Sequence, residues 1–296
     1  MRNDGRSPHS NTTPLRTAFV TWSGLPGLSA DDRLAAAALV RRGWAVEPAV
    51  WDDPAVPWSA YAAVIVRSTW DYHRRPAAFL RWIERIDDAG VALWNPPGLL
   101  RWNLDKGYLG ELEQRGIAVV PTCTVPRGSS ATLAATLRER GWDDVVVKPA
   151  VSASAYQTWR SSASRAGADA SRFAALLEAG DVLVQPYQPA IEAGEWSFCF
   201  FGGAFSHAVL KRPRPGDFRV QSELGGTVSV EPPPPALLAE AAAVTSLIPG
   251  KWLYARVDAC SIGHALLLME LELIEPTLFF HADTGAADRF AEALRT

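Results

Sequence analysis

The sequence predicts an α/β protein with a parallel sheet in its amino-terminal third and antiparallel strands toward its carboxy terminus, and three patterns carry that reading. Compact apolar runs alternate with amphipathic, helix-length segments from Leu15 to Asp88, the signature of strands joined by crossover helices. A stretch with two prolines, residues 121–127, followed by Gly128, then separates this part from a second helix and strand unit. Beyond it, EWSFCFFGG and AFSHAVLKR face one another across Gly202 and Gly203, residues suited to a hairpin turn.

In chain order, LRTAFVTW, AVEPAVW and YAAVIVRS are the first strands, with helices over 30–42 and 76–88 and a further helix over 99–115. The second unit takes DVVVKPA and DVLVQPY as strands and 129–140 and 171–179 as helices. The run Pro232 to Pro235 cannot continue a strand but suits the start of an alanine-rich helix from Ala236. The last strands are WLYARVDAC and ALLLMELELIE, turned at 262–264, and an amphipathic helix follows from Ala286. Residues up to Pro14 lack periodicity and read as a polar tail outside the fold.

At 296 residues and 48% hydrophobic composition the chain can bury a core of two or three lobes. A formal net charge of -3 gives no broad attraction for nucleic-acid phosphates or anionic membranes. Three dispersed cysteines, Cys123, Cys199 and Cys260, suggest neither a disulfide framework nor a thiolate zinc motif, and read as reduced, partly buried thiols. No run has the apolar length of a membrane span, nor the start the apolar core of a secretory signal, so the expected location is the cytoplasm.

Chemistry concentrates in four places. Glu270 and Glu272 stand two apart near the end of a very apolar strand and so share a face; Asp258, on the strand before the turn, supplies a third carboxylate. Like charges gathered this way need cations to offset them, and hard oxygen ligands suit magnesium. Any one of these acids alone would read as a solvated strand end. Lys148 closes the buried strand DVVVKP, where a cation can meet phosphate, although a lone lysine is more often a surface group. LVQPYQPAIEAGEW carries Gln185, Tyr187 and Glu195, placed for a purine and ribose hydroxyls, or simply a strand and its loop. LKRPRPGDFRVQSELGG sets Lys211, Arg212, Arg214 and Arg219 beside Gly216, Gly225 and Gly226, suited to a charge-developing reaction centre or to an ordinary basic hairpin.

Taken in order, VVVKP, QPYQPAIEAGEWS, KRPRPGDFRVQSELGG and ARVDACSIGHALLLMELELIEPT resemble the ATP-grasp superfamily, and the nucleotide-binding half of bacterial glutathione synthetases in particular. The resemblance runs from about Lys106 to Thr277 and implies an ATP-grasp fold: a substrate unit over 15–120, a small α+β lid over 121–190 and an antiparallel lobe over 191–296. It implies ATP and Mg2+ as cofactors, with Lys106 and Lys148 on the phosphates, Gln185 and Tyr187 at the adenine, Glu195 at the ribose, and Asp258, Glu270 and Glu272 on the metal. Arg219, Lys148 and Lys211 are the implied catalytic cations. Three departures stand out. The phosphate flap reads VSASAYQT without glycine, leaving Ser152 and Ser154 to cover the phosphates; Glu272 replaces an asparagine; and Ser197 replaces an arginine of the glutathione synthetases.

The amino-terminal half, RSTWDYHRRP followed by WNPPGLLRWNLDKGYL, resembles the ATP-grasp branch that contains the D-cycloserine-forming cyclo-ligase. That resemblance implies a small amino-acid-like substrate near Arg67, Ser68, Trp70, Asp71 and Tyr72, at the end of the third strand, where open α/β sheets favour ligands. Core packing is the competing account of Trp70 and Tyr72 in a chain with 12 Trp. His73, beside the RSTWDY motif, and His281, after the carboxylate strand, are placed to approach a substrate, although a lone histidine is more often a packed or surface residue. The expected activity is ATP-dependent carboxylate-amine ligation, intramolecular or between molecules, with a non-catalytic nucleotide-binding protein as the alternative. The expected partners are small molecules, with a homo-oligomer by family analogy.

Overall fold

The structure is a computed structural model that describes residues 14–294; the expected tail, apart from Pro14, lies outside the described residues. Its first sheet is built from β1 (Leu15–Thr21), β2 (Trp44–Val50), β3 (Ala63–Ser68) and β4 (Ala92–Trp94), all parallel, in the order β2-β1-β3-β4. The crossovers run through α1 (Ala30–Arg41) and α2 (Pro76–Asp88). Ser29 caps α1 by accepting from the Asp32 N–H, and Pro76 supplies the preset backbone angle of the first turn of α2. Because β1 is followed by a crossover to one side and β3 lies on the other, the chain directions diverge between them, and a crevice opens at their carboxyl ends.

The helix expected over 99–115 is two helices, α3 (Pro97–Leu104) and α4 (Tyr108–Gln114). Asp105 breaks it by accepting the Gly107 N–H at 2.8 Å, and the Lys106 N–H, released from helical pairing, donates to Ala150 O at 3.0 Å. The break is what turns the Lys106 side chain inward.

The second sheet is antiparallel, ordered β5-β8-β6-β7 from β5 (Cys123–Val125), β6 (Asp144–Pro149), β7 (Trp159–Ser162) and β8 (Val182–Pro186), with α5 (Leu133–Arg140) and α6 (Ala170–Ala179) packed on it. The expected irregular hinge thus contains the short strand β5, and β7 pairs with β6 where only a turn was expected. Thr132 caps α5, so that helix begins later than the sequence pattern places it. The segment entering this unit is pinned to the third sheet by reciprocal hydrogen bonds between Ala118, Val120 and Leu268.

The third sheet, β11-β10-β9-β12-β13, comprises β9 (Glu195–Phe201), β10 (Ala204–Arg212), β11 (Thr227–Ser229), β12 (Tyr254–Ile262) and β13 (Ala265–Glu272), all antiparallel. Helices α7 (Pro235–Ser246) and α8 (Ala286–Ala293) complete the chain. One face of this sheet is apolar, with Trp196, Phe198, Ala208, Leu210, Ala255, Val257, Leu268 and Leu271 packed with Leu237 and Ala241 of α7 and Leu109 and Leu112 of α4. The opposite face carries Glu195, Ser197, Lys211, Arg256 and Asp258, as strand alternation requires.

On β13 the alternation is interrupted. Leu268 pairs with Ala259 and Glu270 with Asp258, so Met269 is an extra residue in that strand. Without this bulge Leu266 and Leu268 would share a face with Glu270 and Glu272; with it the leucines stay in the core and both carboxylates turn to the polar face. The three cysteines are free and buried, and among the described residues no helix is long and apolar enough to cross a membrane.

Candidate active site

A cavity of about 590 Å³ opens where the three sheets meet, a volume suited to a nucleotide-sized ligand. The carboxyl ends of β1 and β3 contribute Trp22, Trp70, Tyr72 and His73; β6 and the loop after it contribute Lys148, Ser152 and Ser154; the third sheet contributes Glu195, Lys211, Arg256, Glu270 and Glu272. Gln185, Tyr187 and Arg219 complete the part of the wall that the sequence singles out.

The polar face of the third sheet is a chain of ion pairs. Lys106, only 4% exposed, reaches Glu270 at 3.0 Å and donates to Ser152 O at 2.6 Å. Lys211 contacts Glu195 at 2.5 Å and Asp258 at 3.3 Å. Arg256 holds Asp258 at 2.7 Å and Glu272 at 2.6 Å. Burial opposes the charge of Asp258, but Arg256 and Lys211 outweigh it and keep that carboxyl at about 2. Glu270 is also held low: Lys106 and Lys148 overcome its burial. Glu272 goes the other way, because burial together with the charges of Asp258 and Glu270 outweighs Arg256 and lifts it to about 7.

Lys148 differs from these cations. Its ammonium has no carboxylate within ion-pair distance among the described residues, and burial lowers its pKa despite the attraction of Glu270. An ammonium facing a cavity without a partner is a site for an incoming anion. Arg219 is paired instead, gripping Asp217 with two nitrogens at 3.0 and 2.9 Å, from the loop between β10 and β11. That loop is less free than its glycines suggest, since a Cβ on Gly226 would lie 2.2 Å from Val220 O.

At one end of the cavity the lining is apolar. Tyr187, Ile191, Phe218, Val220, Cys260 and Met269 pack as one cluster, with the Arg160 guanidinium 3.6 Å from the Tyr187 ring centre. Gln185 is buried beside it, donating to Thr122 Oγ1 at 2.8 Å. The Ser152 hydroxyl is directed to Pro149 O at 3.1 Å, while Ser154 is exposed in a loop where Ser154, Ala155 and Gln157 all have positive φ.

Asp258, expected on a metal, is not part of the cavity wall: Arg256, Lys211 and Ser197 already fill its oxygens. Among the described residues no three His, Cys, Asp or Glu side chains form a ready-made metal cage. Glu270 and Glu272 do face the cavity, and two carboxylates suit magnesium, which commonly takes one or two together with substrate phosphates. Of the five expected substrate residues, Trp70 and Tyr72 line the wall and three stand behind it. Arg67, 2% exposed, is bound by Asp32 and Pro276 O; Ser68 also bonds Asp32; Asp71 holds Trp51 and Arg75. These residues fix the end of β3 and can touch no ligand in this arrangement. Arg256 escaped the sequence reading, although its place two residues before Asp258 puts both on one face of a strand. Glu275, Phe218 and Met269 escaped it too, as they carry no motif.

Residues 17–95 match the family model for the amino-terminal domain of D-cycloserine synthetase DcsG. The cycloserine biosynthesis protein DcsG of Streptomyces lavendulae is 33% identical over 272 residues, covering 85% of this chain and 88% of that protein. A crystal structure of D-cycloserine synthetase DcsG superposes with a TM-score of 0.85 at 32% identity, over 94% of this chain and 98% of that one. A RimK domain ATP-grasp protein of Sphaerobacter thermophilus DSM 20745 shares the fold at a TM-score of 0.69 and 18% identity, over 95% of this chain and 100% of that one. Fold and site together define an ATP-grasp ligase. Within that class the chain belongs to the DcsG family.

Proposed function

We propose that this protein is an ATP- and magnesium-dependent ligase that activates the carboxylate of a small amino-acid-like substrate and closes it onto a nitrogen of the same molecule. The observation that carries the reading is the unpartnered Lys148 ammonium facing the Lys106, Glu270 and Glu272 group across one cavity. ATP lies with its base in the apolar cluster around Tyr187 and Met269 and its phosphates toward Lys106 and Lys148. Glu270 and Glu272 would hold magnesium, which would supply charge neutralisation at the phosphates.

A substrate carboxylate oxygen attacks the terminal phosphorus, the bond to the bridging oxygen breaks, and ADP leaves an acyl phosphate. The nitrogen then attacks the acyl carbon, loses a proton, and phosphate departs. Arg219 stabilises the oxyanion once it exchanges Asp217 for the developing charge, and Lys211 fixes Glu195 toward the ribose. We assign 15–120 to substrate binding, 121–190 to a lid and 191–296 to the metal-bearing lobe, with closure keeping water from the acyl phosphate. An intramolecular product is favoured by the DcsG-like amino-terminal part, residues 17–95.

The test is incubation with ATP, magnesium and a panel of serine derivatives bearing aminooxy or ureido nitrogen. Substrate-dependent phosphate release with a cyclic product by mass spectrometry is expected. A linear amide would move the reading to intermolecular ligation, and absence of phosphate release across the panel would reject it.

A further inference from the structure

One buried polar side chain in the cavity wall has no task in that scheme. His73 is 8% exposed and lines the cavity, yet neither ring nitrogen has a hydrogen-bond partner in the structure. Leaving such groups unsatisfied costs free energy, so a buried imidazole with both nitrogens idle points to a partner that arrives with a ligand.

Its surroundings select the chemistry of that ligand. His73 lies in the short turn after Asp71, whose carboxylate is held by Trp51 and Arg75, so the backbone that carries the ring is anchored. Tyr72 stands edge-on at 6.0 Å, and the Tyr156 ring, from the loop after β6, covers it at 4.7 Å. The charged groups around it are Arg74, Asp71 and Lys106; burial, with Arg74 and Lys106, outweighs Asp71 and holds the imidazole down at about 4. The ring is therefore neutral, with one nitrogen donating and the other accepting. A neutral ring offers no charge to a substrate carboxylate, and the cations of the same wall, Lys106 and Lys148, serve the anionic groups. What a neutral acceptor nitrogen takes is a donor hydrogen, and on the proposed substrate that donor is the N–H of the attacking group.

Resting on the ligase reading, we propose that His73 binds the nitrogen end of the substrate, its imidazole accepting a hydrogen bond from an N–H of the group that attacks the activated carboxyl. His73 thereby positions the nucleophile, and the Tyr156 ring moves aside to admit it. Arg74 lies 5.9 Å over that same ring, so both residues of the turn meet the one side chain that gates access.

The experiment compares the parent protein with His73→Phe, which keeps the packing, and His73→Gln, whose amide still donates and accepts. In phosphate-release kinetics with the aminooxy and ureido serine derivatives, His73→Phe should raise KM for the derivative about tenfold, leave KM for ATP unchanged, and be largely rescued by His73→Gln. Equal KM values in all three proteins, or matched increases in both substrates' KM values, would overturn the inference while leaving the ligase reading intact. Imidazole nitrogen resonances of the 15N-histidine-labelled parent provide a readout independent of turnover. The His73 signals should shift when a derivative is added and stay still with ATP alone. A protein without turnover rejects the ligase reading, and unmoved His73 signals across the panel then reject this inference as well.

Discussion

An ammonium group removed from water without a carboxylate beside it destabilises a fold, whereas one held in a close pair leaves a charge stranded when it is deleted. Lys148 and Lys106 represent the two cases in one cavity. Lys148→Met should leave thermal stability unchanged or raise it, since burial already disfavours its charge, while lowering ATP-dependent phosphate release by about 100-fold or more. Lys106→Met abandons Glu270 beside Glu272 and should cost about 3 kcal/mol in denaturant unfolding as well as activity. Loss of stability in the Lys148 variant comparable to that in the Lys106 variant would mean that Lys148 has a partner after all. His73 gives a pH signature. Its folded pKa of about 4 lies below the 6.5 of a free imidazole, so the unfolded chain binds more protons between them. Stability is complete above 6.5 and falls as the pH drops through 4, by at most about 3 kcal/mol from this group. Because phenylalanine does not titrate, the parent should lose melting temperature relative to His73→Phe as the pH falls between those limits, and parallel curves would contradict the assignment.

At the scale of elements, what could be read from sequence was the alternation itself. The strands around Phe19, Ile65, Val147 and Phe198 and the helices over 30–41 and 76–88 follow from apolar periodicity, which tertiary context reinforces here. What could not be read were the places where one backbone hydrogen bond changes direction. The Asp105 break that aims Lys106, the extra residue at Met269 that turns Glu270 and Glu272 outward, and the β6–β7 pairing each rest on a particular hydrogen-bond register that apolar periodicity does not encode. Carboxylates can be recognised by type and spacing, but that Arg256 would close over Asp258 depends on side-chain geometry across β12 and β13. The loop after β6 supplies the element-scale prediction. Ala155 has φ 55°, a conformation in which a Cβ costs about 1–2 kcal/mol and glycine is free of that strain. Ala155→Gly should therefore be neutral or stabilising by up to about 1 kcal/mol, after the added entropy of the unfolded chain is counted. The same exchange at Ala150, which is buried and has no such strain, should destabilise, and chemical denaturation of the two variants decides the matter.

Across the whole molecule the parts are joined very unequally. Asn95, fully buried after β4, donates to Tyr254 O and Leu273 O at 2.8 Å each and accepts from Leu253 N at 2.7 Å, fastening the first sheet to the third. Asn103 repeats the device with Leu271 O and Leu273 N, both at 2.8 Å. Phe19 and Ile65 of the first sheet share a core with Tyr254 and with Phe290 of α8. The sheet of β5 to β8 instead has a core of its own, Val125, Leu137, Val147, Phe173, Leu177 and Val184 among it, drawn only from residues 123–184. Its ties to the rest near the cavity are few: Lys106 to Ala150 and Ser152, Val151 and Ala153 packed on the core of the first sheet, and Tyr156 on His73. A unit with its own core and few outside bonds moves as a body, and local opening is drawn from such weakly tied regions. Hydrogen exchange should therefore show slow amides around Asn95 and Tyr254 with and without nucleotide. The loop at 152–157 and the loop holding Arg219 should slow when magnesium and a non-hydrolysable ATP analogue are added. Asn95→Leu leaves three buried backbone groups unpaired, each worth about 1–3 kcal/mol, and should quicken exchange in the first and third sheets together while the core of β6 and β8 keeps its protection. Equal loss of protection in all three sheets would show that the molecule opens as one unit, and that the lid is not mechanically separate.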